Sequence, residues 1–193
     1  MNIVHGTMFH GMSRLRCMTE AQHHTFMFAD ICGYSLLTAV DGDAAAADVA
    51  IHFLSEASSL AREHGAEVVK GLGDAVMVYA DDAAQAIRLG LDLLTAFGED
   101  PALPSIHVGV HTGPALNRAG DWWGATVNLA ARVAGTAEAN QLLVTEATKQ
   151  AAGEMASARL RGLGTRRFKN IPVPIQVYAA SCCPGIALAA AAG

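Results

Sequence analysis

Runs rich in Val, Ile, Phe and Met recur at 25–30, 66–71, 74–79, 105–111, 141–144 and 174–179, each about the length of one strand. Between them the apolar period lengthens. From Asp43 an alanine-rich stretch sets Val49, Phe53, Leu54 and Leu60 at roughly helical spacing, and Gly65 offers a C-terminal stop. From Asp82 to about Phe97, Ala83, Ile87, Leu91 and Leu94 recur at four- and three-residue steps behind Asp82 as a cap. A third helix is predicted over 125–134. Strands alternating with helices imply an α/β sheet covered on at least one face. The runs 66–71 and 74–79 are separated only by Leu72 and Gly73, which predicts a tight hairpin. Consecutive antiparallel strands in an otherwise alternating pattern point to a ferredoxin-like βαββαβ core, an α+β arrangement, rather than a doubly wound sheet.

The patterning does not reach the ends. Residues 1–23 have no periodicity and read as a leader, and 182–193 read as a low-complexity tail, leaving 24–181 as one domain. Hydrophobic residues make up 52% of the 193 and charged residues 16%, the balance of a globular chain. A net charge of -5 gives no general pull toward nucleic acid or anionic membrane. No apolar run approaches the roughly 20 residues of a membrane span, and the N-terminal stretch lacks the apolar core of a secretory signal. Cys17, Cys32, Cys182 and Cys183 form neither a disulfide framework nor a zinc spacing, so reduced thiols in a cytoplasmic protein are expected.

The candidate chemistry begins at FMFADICGYS, where Asp30 ends a greasy strand just before Gly33. An ionised carboxylate leaving water needs a partner or a metal. The hairpin EVVKGLGDAVMVYA supplies a second aspartate, Asp74, after its glycine turn, with Lys70 before it. If the two strands are neighbours, both carboxylates converge at one end of the sheet. A divalent cation would relieve their repulsion, and oxygen ligands favour magnesium or manganese. The plainer alternative is that each aspartate only caps its turn. In GDWWGATVNLAARVAG, Asn128 and Arg132 stand one helical turn apart among small and apolar residues, and a guanidinium there suits a phosphate. An ordinary surface arginine is the alternative. Neither GxxxxGK[ST] nor GxGxxG occurs, but the amides after Asp30 can meet a phosphate at a helix start. The histidines show no metal-ligand spacing, and His111 reads as a packing residue rather than a base.

Taken in order, FADICGYS, EVVKGLGDAVM, HVGVHTG, GDWWGATVNLAARV and RRFKNIPVPIQVY resemble the catalytic domain of class III adenylate/guanylate cyclases over roughly residues 24–180. The resemblance implies cyclisation of a nucleoside triphosphate to its 3′,5′-monophosphate with release of pyrophosphate. It implies that Asp30, Asp74 and the Ile31 carbonyl hold two Mg²⁺ or Mn²⁺ ions, and that the amides of Cys32, Gly33, Tyr34 and Ser35 receive the terminal phosphates. Asn128 would orient the ribose, Arg132 would stabilise charge on the α-phosphate, and Lys169 would bind the triphosphate. Lys70 and Asp121 match the pair that reads adenine, which makes ATP the expected substrate. The family's sites lie across a head-to-tail dimer, so a homodimer is implied. The segment TGPALNRAG is shorter than in many relatives, which implies a weak one. Arg118, within it, reads as a solvated loop residue. A cyclase-like domain that binds nucleotide or a partner without turnover is the competing reading. All seven polar side chains named are present, which favours the enzyme.

Overall fold

The computed structural model describes residues 23–183. The leader and tail expected from the sequence lie outside the described residues, apart from His23, Cys182 and Cys183 at their inner edges. In chain order the elements are β1 (His23–Ile31), α1 (Tyr34–Glu63), β2 (Glu67–Gly71), β3 (Ala75–Ala80), α2 (Ala83–Glu99), β4 (Ile106–Pro114), β5 (Leu116–Arg118), β6 (Asp121–Trp123), α3 (Ala125–Ala134), β7 (Leu142–Thr145), α4 (Glu146–Ala152), β8 (Ala158–Arg166) and β9 (Ile175–Cys182).

Seven strands form one sheet in the order β2-β3-β1-β4-β7-β9-β8, while β5 and β6 make a separate two-stranded ribbon. β1, β2, β3 and β4, joined by α1 and α2, form the expected ferredoxin-like core, with β1 antiparallel to both β3 and β4. β7 then adds parallel to β4 after the α3 crossover, and β9 and β8 extend the sheet antiparallel.

Why the Phe26–Ala29 run of β1 is apolar without alternation follows from this order. It lies centrally, so both faces are covered and the usual polar alternation disappears. Met27, Ala29 and Ile31 join Val76, Val78, Phe53, Ala57 and Ile87 beneath α1 and α2. Phe26 and Phe28 point to the opposite face, with Met77 and with Ala130 and Ala134 of α3. Gly109 makes the second packing possible, because a Cβ there would lie 2.1 Å from the Ala134 backbone nitrogen. α2 starts as its sequence predicts: the Asp82 carboxylate caps it, accepting from the amides of Ala84 (2.7 Å) and Gln85 (3.3 Å).

Two predictions need correction. α1 begins at Tyr34, nine residues before Asp43, and kinks at Gly42 (φ 88°) instead of starting there. Its first segment carries Leu36 and Val40 largely exposed, so no buried stripe marked it as helix. The ribbon, α4 and β8 also lay between the predicted elements. No helix among the described residues is long and apolar enough to cross a membrane.

Candidate active site

Asp30 is the next-to-last residue of β1, on the face shared by Phe26 and Phe28. Its Cα is paired with Ala75 on one side and His107 on the other. The Ile31 amide donates to the Asp74 carbonyl at 3.1 Å, which brings the two aspartates to the same end of the sheet. Burial, and then the Asp74 carboxylate, push the Asp30 carboxyl above its ordinary range, while His107 and the Ile31 amide pull it down. The net effect is upward, so the ionised form is under-compensated. Asp30 Oδ1 is buried with no hydrogen-bond partner, and His107 Nε2 stands 3.6 Å from Oδ2, beyond hydrogen-bond reach. An orphaned carboxylate oxygen beside a second carboxylate fits a hard divalent cation. Among the described residues no three His, Cys, Asp or Glu side chains are gathered around one point.

Directly after Ile31 the chain turns into α1. Gly33 adopts the left-handed conformation (φ 71°), and its carbonyl accepts from the amides of Leu36 (2.9 Å) and Leu37 (3.0 Å). That geometry leaves the amides of Gly33, Tyr34 and Ser35 at a helix start with no intrahelical acceptor. The Cys32 amide differs: it donates to the Ser105 carbonyl at 2.8 Å, so the free amides begin one residue later than the sequence suggests. The Cys32 thiol lies 3.3 Å from His107 Nδ1, and burial together with Asp30 raises its pKa.

The remaining candidates form a second group. Lys70 of β2 donates to Asp121 of β6 at 2.6 Å, both partly buried. That bond, followed by one from the Trp122 amide, holds the Asp121 carboxyl below the usual carboxylate range. Lys70 lines an open cleft of about 430 Å³ whose walls also include Phe28, Met77, Trp122, Val127 and Asn128. One turn further along α3, the Arg132 guanidinium donates to the Lys169 carbonyl. Phe168, buried against Leu129, Val133 and Val177, pins the connection that carries Lys169. Among the described residues no hydrogen bond or ion pair joins this group to Asp30 or Asp74. Arg118 is exposed in β5, opposite Asp121.

The family model for the adenylate and guanylate cyclase catalytic domain matches residues 17–166. The chain belongs to this family. It is 32% identical over 164 residues to a pH-sensitive adenylate cyclase of Mycobacterium tuberculosis, covering 82% of this chain and 40% of that protein. An adenylate cyclase of Streptomyces griseus is 36% identical over 61% of this chain and 29% of its own length. The cyclase domain thus spans well under half of the curated relatives it matches. Its fold matches the crystal structure of the adenylyl cyclase CyaB from P. aeruginosa with a TM-score of 0.71 at 23% identity, over 82% of this chain and 93% of that one.

Two residues beside the candidate site carried no signal that sequence spacing reads. His107 is set beside Asp30 by the β1–β4 register, which a sequence pattern does not reveal. Trp122 was visible only as half of a tryptophan doublet next to Asp121. His111 is placed as expected, in β4 with Nδ1 2.7 Å from the Thr145 hydroxyl, and burial lowers its pKa to about 4.

Proposed function

We propose that the chain is an adenylate cyclase catalytic domain, converting ATP to 3′,5′-cyclic AMP and pyrophosphate at a site completed by a second copy of itself. The observation that carries this reading is the Lys70–Asp121 pair, whose lysine lines a cleft with apolar walls. An ammonium donating to adenine N1 and a carboxylate accepting from the amino group match adenine, whereas guanine presents the opposite pattern. An unsatisfied buried polar group costs about 1–3 kcal/mol, enough to favour ATP by roughly one to two orders of magnitude.

In the reaction the ribose 3′-oxygen bonds to the α-phosphorus and loses its proton, while the bond to the bridging oxygen breaks and pyrophosphate leaves. Asp30 and Asp74, with the Ile31 carbonyl, would hold two magnesium or manganese ions, whose charge lowers the pKa of the 3′-hydroxyl and balances the phosphates. The amides of Gly33, Tyr34 and Ser35 receive the terminal phosphate oxygens, as helix starts do. Asn128 orients the ribose, and Arg132 aims its guanidinium at charge developing on the α-phosphate. Lys169 binds the triphosphate from the adjoining turn.

Cyclic nucleotide formation, measured against protein concentration with ATP and with GTP in Mn²⁺ or Mg²⁺, tests the proposal. Cyclic AMP from ATP, with specific activity rising with concentration, is expected. Nucleotide binding by calorimetry with no product under either metal would instead make this a binding domain.

A further inference from the structure

The ribbon that bears Asp121 shares no strand pairing with the main sheet. Its strands have three residues each, and a two-stranded ribbon of that size does not hold itself in place. Side chains must therefore fix it. Leu116 and Trp123 are 60% and 58% exposed and contribute little. Trp122 is different. Its indole stacks on Tyr79 with centroids 4.6 Å apart and planes 17° from parallel. Phe26 meets it in an edge-to-face arrangement with centroids 5.4 Å apart, and the His24 ring centroid lies at 4.4 Å. Phe26 is fully buried in β1, so the seat itself belongs to the rigid part of the fold.

We propose that Trp122 is a positioning residue for base selection, its seat on Tyr79 and Phe26 setting where the Asp121 carboxylate stands. The inference rests on the reading of Lys70 and Asp121 as the adenine-recognising pair. Two contacts transmit the position. The Trp122 amide donates to Asp121 Oδ1 at 2.8 Å, which fixes the carboxylate's orientation and leaves Oδ2 for Lys70 or a base. Tyr79 and Lys70 also belong to one hairpin, where Tyr79 is paired with Glu67 and Lys70 with Met77. The indole–phenol contact therefore sets the gap between the two base-reading groups. A donor and an acceptor discriminate between purines only if that gap matches the base edge, so a loosened ribbon loses selectivity before it loses turnover.

Steady-state kinetics of the full chain with ATP and GTP test this for Trp122→Leu, Trp122→Phe and Tyr79→Leu. In Trp122→Leu the KM for ATP rises about tenfold with kcat largely kept, while kcat/KM for GTP is unchanged, as expected when ground-state base contacts are lost. The ATP:GTP preference thus falls about tenfold. Trp122→Phe, which retains a ring, restores most of it, and Tyr79→Leu reproduces the loss from the other side of the contact even if Trp122→Leu does not fold. An equal loss on both nucleotides, or an unchanged preference in both leucine variants, overturns the proposal. A wild-type chain that prefers GTP or turns over neither nucleotide overturns the adenine reading itself, which is a separate result.

Discussion

Asp30 is held where its charge is unfavourable, so under the proposed reading its carboxylate is kept at the cost of stability. Its carboxyl titrates above the ordinary value of 3.8 because of burial and Asp74. A carboxyl raised in the fold contributes stability that is present at low pH and lost as pH rises through the folded value. Asp30→Asn should therefore raise the melting temperature at neutral pH. The gain should vanish in acid, and added Mn²⁺ should stabilise the wild type alone. Thermal melts across pH check this, while cyclic AMP formation in the variant should drop on the order of a hundredfold or more. His111 has the opposite sign. It stays neutral in the fold down to about 4, whereas the unfolded chain takes up the proton from 6.5. Stability should thus fall as pH drops through that window, by at most roughly 3 kcal/mol. Denaturant midpoints for His111→Gln should show a flatter profile. Carboxylates beside glycine turns announce themselves in a sequence, which is why Asp30 and Asp74 were legible. His107 was not, because its place depends on a register across 77 positions of chain between partners Asp30 and His107.

At the scale of elements, legibility followed burial. α2 and α3 place Ile87, Leu89, Leu129 and Val133 on buried stripes, and both were predicted to within two residues at either end. β8 lies at the sheet's edge with most positions partly or fully exposed, so ARLRGLGTR carries no alternation to read. α4 has seven residues and its one buried side chain is Thr148, too little for a helical period. The early start of α1 failed for the same reason, its first eight residues being mostly exposed. The most consequential contact between elements is α3 on β4, since α3 bears Asn128 and Arg132. Gly109→Ala would drive a methyl into the Ala134 backbone, which has no rotamer to yield with. Overpacking of this kind costs about 1–3 kcal/mol or more. We expect a lower urea midpoint, and a loss of kcat in the protein that remains folded as α3 shifts off the strand.

At the scale of the molecule, the candidate residues fall into two groups with no hydrogen bond or ion pair between them among the described residues: Asp30 and Asp74 at the turn end of β1, and Lys70 and Asn128 in the cleft beside α3, with Asp121 bonded to Lys70 and Arg132 to the Lys169 carbonyl. Leu72 and Trp123 line that cleft while 46% and 58% exposed, apolar surface of the kind a second chain would cover. If each site takes its carboxylates from one copy and its base- and ribose-binding groups from the other, two different defects should cancel. Asp30→Asn and Asn128→Ala chains are each inactive alone under this arrangement, because every homodimer lacks one half of both sites. Mixed in equal amounts they form heterodimers in which one site combines Asp30 of one chain with Asn128 of the other, and the second site carries both defects. Random pairing makes about half of the dimers mixed with one working site in two, so activity should recover to about a quarter of wild type. Recovery should grow with total protein concentration and disappear on dilution, as expected for a weak dimer. No recovery at concentrations where sedimentation shows mixed dimers would mean that each chain holds its own complete site.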